Sequence, residues 1–355
     1  MADLKRVFYV KYLAHNNFID ILGTRNDIRL DKLENDSPDD VAAPVLAGAH
    51  AFQIGSARDE LAKRFHADRD LLRRTQSLLI VSTNGAGYDT VNLNACTDAG
   101  VLVVNQAGGN KEAVAEHALA MMLSLTKKIV ESDRASRREK DLNRALYIGH
   151  DLRYKTVGIV GLGNVGKRLA ELCRGLFSMR VLAYDPYVPA DVMKANGVEK
   201  VELDELMRQA DFVSINCPLT DESRGMVGAK QYALMKPNAY FVTTARGSIH
   251  DEKALEDALR GKKIAGAGLD VWEKEPPPLE HPLLQFDNVI VTPHTAGVTR
   301  EARENMGRFA AEQMIAALDG KPVERVLNPV VWPRYAARFK ETFGFAPQGP
   351  GVGGG

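Results

Sequence analysis

A glycine-rich turn near the middle of the chain constrains the fold more than any other segment. The turn comprises Gly161, Leu162, Gly163, Asn164, Val165 and Gly166. It follows the short apolar run 156–160, which is typical of a strand buried on both faces. Gly161 permits a sharp turn, Gly163 lets the backbone approach a pyrophosphate, and Gly166 lets the next helix pack closely on the strand. The segment therefore predicts a dinucleotide-binding domain whose helix N-terminus faces the phosphates.

A carboxylate follows at the end of the next strand-like run. Residues 180–184 form that run, and Asp185 comes directly after it. An acid at this distance from the glycines accepts hydrogen bonds from the adenosine ribose hydroxyls and repels a 2′-phosphate. The sequence therefore predicts NAD rather than NADP as the cofactor.

Apolar runs alternate with helical patterns along the chain. Before the turn, strand-like runs lie at 6–10, 51–54, 78–81 and 101–104, with a weaker one near 28–30. From the turn onward they lie at 156–160, 180–184, 211–216, 239–243, 264–269 and 288–292. The alternation predicts an α/β fold with two doubly wound parallel sheets, and six strands match a full dinucleotide fold.

The central position of the glycine turn predicts a discontinuous domain arrangement. We expect an NAD-binding Rossmann domain at 106–295, inserted into a flavodoxin-like substrate domain made of 1–105 and 296–335. Ligands of such proteins bind in clefts, so we expect a cleft between the domains. Residues 336–355, which end in a run of glycine and proline, are expected to form a flexible tail.

Composition bounds the function classes. Lys plus Arg and Asp plus Glu both total 46, which gives no electrostatic reason to expect nucleic acid or a membrane surface as partner. The sequence has no apolar run of bilayer length and no signal-peptide core at its start. Its cysteines, Cys96, Cys173 and Cys217, lack metal-ligand spacing and fit reduced thiols. We therefore expect a cytoplasmic protein without a metal.

Three chemically active side chains follow the last three strand-like runs. They are Arg246, Glu275 and His294. Because ligands of parallel sheets bind beyond the carboxyl ends of the strands, these side chains can converge on one pocket. His294 titrates near neutral pH and suits proton exchange with a substrate hydroxyl. Glu275 would stabilise the imidazolium, and Arg246 would bind a carboxylate and polarise a carbonyl.

The chain resembles the D-isomer-specific 2-hydroxyacid dehydrogenases, the family that includes D-3-phosphoglycerate dehydrogenase, D-lactate dehydrogenase and glyoxylate/hydroxypyruvate reductase. The resemblance rests on the segments 161–166, 245–247, 269–276 and 292–294, in that order. It implies that Arg246, Glu275 and His294 form the catalytic trio. It also implies that Asp270 contacts the nicotinamide carboxamide.

The resemblance implies further contacts with substrate and cofactor. Residues Asn84, Gly85, Ala86 and Gly87 are similar to the family's glycine loop, whose backbone amides hold the substrate carboxylate, and Ala86 and Gly87 are the favoured donors. Cys217 and Pro218 resemble the segment that lines the adenine pocket. Thr244 and Ala245 would contact the nicotinamide side through their backbone.

Several positions are compatible with more than one substrate or role. Many relatives have proline at the position of Ala107, and they also differ at Asn110. Lys111 suits an acidic substrate tail, a helix cap or plain exposure. Arg58 lies near the position of a substrate arginine in some relatives, and a solvated role is equally compatible with the sequence.

The function expected from the sequence is NAD-dependent oxidation of a D-2-hydroxy acid, or reduction of its 2-keto partner. A phosphite or formate dehydrogenase on the same fold is one alternative, although formate dehydrogenases generally carry glutamine at the position of Glu275. An NAD-sensing corepressor-like binding protein is another. The resemblance also implies a homodimer through the NAD-binding domain, with contacts from the helical pattern 111–129 and the charged stretch 132–144.

Overall fold

The computed structural model describes residues 4–58 and 60–349. The chain divides into two compact units, the first ending at Asn110 and resuming at Thr299, the second running from Lys111 to Val298. The expected boundaries were after residues 105 and 295. Residues 350–355 of the expected tail lie outside the described residues.

The described residues alternate strands and helices. The strands are β1 (Lys5–Val10), β2 (Ile28–Leu33), β3 (Ala51–Ile54), β4 (Ile80–Thr83), β5 (Leu102–Val104), β6 (Thr156–Val160), β7 (Arg180–Tyr184), β8 (Glu199–Lys200), β9 (Phe212–Ile215), β10 (Tyr240–Thr243), β11 (Gly266–Leu269) and β12 (Val289–Val291). The α-helices are α1 (Asn17–Leu22), α2 (Asp39–Gly48), α3 (Arg69–Arg74), α4 (Leu93–Asp98), α5 (Lys111–Thr126), α6 (Ile129–Arg138), α7 (Asn164–Phe177), α8 (Ala190–Ala195), α9 (Leu203–Gln209), α10 (Ala229–Leu234), α11 (Glu252–Arg260), α12 (Arg300–Leu318) and α13 (Trp332–Phe343).

Short polar side chains begin several of these helices. The Asp68 carboxylate accepts hydrogen bonds from the first turn of α3, and Asn92 caps α4 in the same way. Asp251 and Thr299 cap α11 and α12. Each such cap satisfies an amide that has no partner within the helix and stabilises it by about 1 kcal/mol.

The sheet of the first unit contains five parallel strands in the order β2-β1-β3-β4-β5, as in flavodoxin-like folds. Alternate side chains of β1 enter different clusters, Val7 on one face and Phe8 on the other. The rings of Phe8 and Phe52 stack 4.1 Å apart. Because both faces are covered, β3, β4 and β5 are buried along their whole length.

The sheet of the second unit contains seven parallel strands in the order β12-β11-β10-β9-β6-β7-β8. Numbered from β6, the strands from β8 to β11 have the dinucleotide-fold order 3-2-1-4-5-6, and β12 lies beyond them at the opposite edge. The expectation of six strands was therefore wrong by one edge strand. That strand, Glu199–Lys200, has two residues and carries no periodic signal. Apolar clusters cover both faces of this sheet as well.

The expected tail was also wrong in part, because residues 332–343 form the helix α13. Proline is tolerated in a first helical turn, so Pro333 starts this helix instead of interrupting the chain. Phe339 is 0 % exposed and packs edge-on against Phe343, with ring centroids 4.9 Å apart. Tyr335 lies one turn earlier and is buried too. The aromatic spacing of four residues was the signal for this helix.

None of the helices in the described part of the chain combines the length and the apolar character that a membrane crossing requires.

The second unit buries a histidine whose two ring nitrogens have no hydrogen-bond partner in the described part of the chain. His250 is 1 % exposed and its ring lies 5.3 Å from that of Phe241. Burial lowers the pKa of His250 from 6.5 to about 4. An unfolded chain binds a proton on this side chain below pH 6.5, whereas the folded chain does not until about pH 4. Folding stability is therefore lost as the pH falls through this window.

We predict that His250→Leu flattens the dependence of unfolding free energy on acid pH. Wild-type stability should fall by about 1.4 kcal/mol per pH unit from this group within the window. Urea unfolding at pH 7.5 and pH 5 measures the difference. The neighbouring Ile249→Val, which trims another buried side chain, should lower stability by about 1 kcal/mol at both pH values. An equal pH dependence in wild type and His250→Leu would contradict the prediction.

Candidate active site

The structure gives a different reason for glycine at each of three positions in the central turn. Gly161 has φ +92°, and a Cβ there would lie 2.6 Å from the backbone nitrogen of Cys217. A Cβ at Gly166 would lie 2.2 Å from the carbonyl oxygen of Gly161. A Cβ at Gly163 would meet no described atom within 4 Å. The fold itself therefore requires glycine at 161 and 166, while the absence of a side chain at 163 leaves room for a ligand.

Asp185 is tied to this turn by hydrogen bonds. One carboxylate oxygen accepts from the backbone nitrogen of Leu162 at 2.8 Å, and the other accepts from that of Tyr187 at 2.9 Å. Each oxygen keeps a further lone pair that can accept from a ribose hydroxyl. Gly163 is the N-cap of α7 and has no side chain to cap the helix. The positive end of the helix dipole and the carboxylate thus fit a dinucleotide.

His294 and Glu275 form a close pair. Nδ1 of His294 lies 2.7 Å from Oε2 of Glu275, and the side chains are 35 % and 25 % exposed. The other oxygen of Glu275 accepts from the backbone nitrogen of Trp272 at 3.0 Å. With Nδ1 held by the carboxylate, Nε2 is the ring nitrogen left for exchange with a substrate.

The pair shifts the pKa of both groups. The hydrogen bond from Glu275 raises the pKa of His294, against the opposing effects of burial and of the Arg246 charge. Burial raises the pKa of Glu275, but the hydrogen bond and charge of His294, with the Arg246 charge, outweigh it and leave that pKa lowered. The arrangement keeps the imidazole protonated to higher pH than an isolated one.

Arg246 is brought towards this pair by backbone packing. It directly precedes Gly247, where a Cβ would lie 1.9 Å from the carbonyl carbon of Trp272. Its Nη1 donates to the carbonyl of Ala245 at 2.7 Å. The charge of Arg246 lowers the pKa of both Glu275 and His294, as expected of a cation in their neighbourhood.

The buried carboxylate of Asp270 holds the turn that carries His294. It accepts from Thr292 Oγ1 at 2.6 Å and from the backbone nitrogens of Thr295 and Ala296 at 2.8 and 2.9 Å. Its own carbonyl accepts from the backbone nitrogen of His294 at 2.8 Å. These bonds sustain the left-handed conformation of His294, whose φ is +53°.

Two residues of this network had no predicted role. Thr292 directly precedes Pro293 and His294, so the sequence places its hydroxyl at the end of the same strand. His117 lies on α5, and its Nε2 is 3.1 Å from the Thr292 hydroxyl. The two residues are 175 positions apart in the chain. Only the packing of α5 against the sheet reveals this contact.

The other predicted cofactor residues follow β9 and β10, at the same edge of the sheet. Cys217 is half-buried, and burial raises the pKa of its thiol to about 11. The carbonyl of Pro218 accepts from Ser223 at 2.7 Å. Thr244 is buried, and its hydroxyl has no partner among the described residues. The carbonyl of Ala245 already accepts from Arg246.

The glycine loop of the first unit separates into used and unused donors. The Asn84 amide donates to the Tyr12 carbonyl at 3.1 Å, and the Gly85 nitrogen donates to Ser56 Oγ at 2.8 Å. The backbone nitrogens of Ala86 and Gly87 have no acceptor within the described ranges. Ala86 and Gly87 therefore remain available to a ligand, whereas Asn84 and Gly85 are committed to the chain itself.

The remaining charged candidates have ordinary environments. Arg58 is exposed and donates to the carbonyl of Asp89 at 3.0 Å. Lys111 is exposed in the first turn of α5. His281 is largely buried, its Nε2 lies 3.0 Å from Glu252, and its ring packs against Trp272. Within residues 4–58 and 60–349, no group of three or more His, Cys, Asp or Glu side chains could hold a metal.

Residues 119–296 match the sequence model described as "D-isomer specific 2-hydroxyacid dehydrogenase, NAD binding domain". The chain is 42 % identical over 261 residues to a D-3-phosphoglycerate dehydrogenase of Archaeoglobus fulgidus, covering 74 % of this chain and 49 % of that protein. It thus spans about half the length of that relative. A glyoxylate reductase of Korarchaeum cryptofilum is 38 % identical over 267 residues, covering 74 % of this chain and 80 % of that protein.

A solved structure shares the fold over almost its full length. The holo form of D-mandelate dehydrogenase from Rhodotorula graminis matches with a TM-score of 0.80 and 27 % identity, covering 92 % of this chain and 98 % of that one. A match over 92 % of the chain extends across both of its units.

We predict that Glu275→Gln lowers the pKa of His294 from its raised value, because the neutral amide no longer favours the imidazolium. Titration of the histidine Cε1–H resonances by NMR measures this pKa without any substrate. In the matched variant Glu252→Gln, which neutralises the partner of His281, the pKa of His294 should not change. An unaltered His294 titration in Glu275→Gln would show that the carboxylate does not control the imidazole.

Proposed function

The chain belongs to the D-isomer-specific 2-hydroxyacid dehydrogenase family, and we propose that it transfers a hydride between NAD and a D-2-hydroxy acid or its 2-keto partner. The observation that carries the proposal is the His294–Glu275 pair at 2.7 Å, with the pKa of His294 raised and Arg246 nearby. A proton donor and a fixed cation together match what reduction of a 2-keto acid requires.

In the reductive direction, the substrate carbon receives the hydride and its carbonyl oxygen receives a proton. When bound, the reduced nicotinamide supplies the hydride. His294 donates the proton from Nε2, and Glu275 stabilises the imidazolium before transfer and keeps the ring oriented. Arg246 binds the carboxylate and polarises the carbonyl. In the oxidative direction, neutral His294 accepts the hydroxyl proton.

Separate groups would hold the cofactor and the substrate. Gly161–Gly166 and the α7 N-terminus would bind the pyrophosphate, and Asp185 the adenosine ribose. Leu162, Asn164 and Val165 complete that turn, and Cys217 and Pro218 would line the adenine site. Thr244, Ala245 and Asp270 would face the nicotinamide. In the first unit, the free amides of Ala86 and Gly87 would bind the substrate carboxylate, with Asn84 and Gly85 shaping that loop.

We predict that the protein oxidises NADH with at least one acid from a panel of glyoxylate, hydroxypyruvate, pyruvate, phenylpyruvate and 2-ketoglutarate. His294→Ala should lower kcat/KM by about 10²–10⁴-fold with an unchanged melting temperature, because proton transfer is lost. The exposed-histidine variant His150→Ala should retain wild-type rates. The decrease in NADH absorbance measures the rates of the wild type and of both variants.

Three outcomes would contradict this assignment. A panel with no turnover would refute the oxidoreductase function and favour an NAD-sensing binding protein. Reduction of NAD by formate or phosphite alone would favour the alternative dehydrogenases. A higher kcat/KM with NADPH than with NADH would refute the role given to Asp185.

We further propose a homodimer formed through the NAD-binding unit. The helix α6 and the segment after it expose the large apolar side chains Ile129, Leu146 and Ile148. Exposed apolar side chains of this kind are typical of contact surfaces. Sedimentation velocity should therefore give the mass of two chains at micromolar concentration, and Ile148→Asp should shift it towards one. A single-chain mass for the wild type would contradict the dimer.

We also assign the protein to the cytoplasm. Its cysteines are all free, and Cys96 and Cys173 are buried, as suits a reducing compartment. Fractionation of cells should place it with cytosolic markers, and recovery in a secreted fraction would contradict this assignment.

A further inference from the structure

The loop that carries the two free amides is fastened at several points. The carbonyl of Gly85 accepts from Thr83 Oγ1 at 2.8 Å and from the backbone nitrogen of Gln106 at 3.0 Å. The carbonyl of Ala86 accepts from Asn105 Nδ2 at 2.8 Å. The loop is therefore held from the residues that directly follow β5.

Buried glutamine side chains hold the base of the same loop. The carbonyl of Thr83, the last residue of β4, accepts from Gln53 Nε2 at 3.0 Å and from Gln106 Nε2 at 2.9 Å. Gln106 also donates to Ser82 Oγ at 3.0 Å. Gln53 lies on β3 and Gln106 follows β5, so the amides reach β4 from the strands on either side. Gln106 is 0 % exposed.

A third glutamine fixes the orientation of the Gln106 amide. Gln313 on α12 donates from Nε2 to Gln106 Oε1 at 2.9 Å and to the carbonyl of Asn105 at 3.0 Å. Because Oε1 of Gln106 accepts this bond, its Nε2 must face Thr83 and Ser82. A residue 207 positions away thus sets the direction of the two donors of Gln106.

Buried amides are costly unless they are hydrogen-bonded, and an apolar side chain would fill the position of Gln106 without that requirement. What the amide adds is geometry, since its bonds fix the end of β4, where the loop begins, to the segment after β5 and to α12. Donors held in advance bind an anion without losing freedom at the moment of binding. The network therefore bears on the placement of the loop amides.

We propose that Gln106, oriented by Gln313, is a positioning residue whose side-chain amide acts through Thr83, which leads into the loop, to hold the backbone amides of Ala86 and Gly87 for the substrate carboxylate. This inference rests on the proposed function. It assigns Gln106 to carboxylate binding and gives it no part in hydride or proton transfer.

The test compares Gln106→Met, which keeps the side-chain volume, with wild type. We expect KM for the 2-keto acid to rise by about 10- to 100-fold, because small displacements of binding donors are costly. We expect kcat and the Kd for NADH, measured by fluorescence titration, to stay within about threefold, because the variant leaves the proton donor and the nucleotide turn intact. Preference for the 2-keto acid over its uncharged amide should fall with the rise in KM.

Two further variants provide an intermediate case and a matched control. Gln313→Met keeps the donors of Gln106 and removes the bonds to Gln106 Oε1 and to the Asn105 carbonyl, so its KM should lie between those of wild type and Gln106→Met. The exposed Gln76→Met provides the same chemical change away from the loop and should match wild type. A lowered melting temperature in Gln106→Met with unchanged KM would mean that the network only stabilises the fold, which would overturn the proposal.

Hydrogen exchange separates this proposal from the proposed function. In wild type, the amide of Gly85 is bonded to Ser56, and exchange of a peptide spanning 82–90 should accelerate in Gln106→Met but not in Gln76→Met. If wild type turns over none of the acids and the peptide still accelerates, the proposed function fails and the positioning of the loop stands. If wild type is active while KM and exchange are unchanged in Gln106→Met, the positioning role is wrong.

Discussion

The carboxylate of Asp270 connects the sheet of the second unit to its reactive side chain. It lies at the end of β11, where it is 0 % exposed, and its hydrogen bonds to Thr292, Thr295 and Ala296 absorb a charge that would otherwise be costly to bury. The same bonds shape the turn at His294. The His294–Glu275 geometry therefore depends on a carboxylate that is hydrogen-bonded within its own turn. Asp270 positions His294 in addition to the contact with nicotinamide that the sequence led us to expect.

The sequence predicted those parts of the molecule that local chemistry determines. Gly161 and Gly166 are glycines because any Cβ would collide with backbone, and this requirement is visible in the spacing alone. The strands β6 and β7 have the predicted limits because both faces are apolar. Arg246, Glu275 and His294 were predicted to converge because each follows a strand, and parallel strands bring such positions to one edge.

The features that were missed depend on contacts between distant residues or on weak local signals. No periodicity could indicate the two-residue edge strand β8. His117 and Gln313 were missed because a polar side chain in a helix acquires its meaning from its partner, here Thr292 and Gln106. The helix α13 was missed because the glycine- and proline-rich residues beyond it hid its aromatic spacing. The sequence names only a class of substrate, since the similar proteins carry the names of different acids.

The contact between Gly161 and Cys217 has a consequence for oxidation chemistry. The backbone nitrogen, Cα and Cβ of Cys217 lie directly behind Gly161, so the thiol belongs to a residue that is packed against the glycine turn. The thiolate is the form that peroxides and alkylating agents attack, and burial raises the pKa of this thiol to about 11. At neutral pH the group is almost entirely protonated. Burial therefore slows oxidation of the cysteine that packs against the glycine turn.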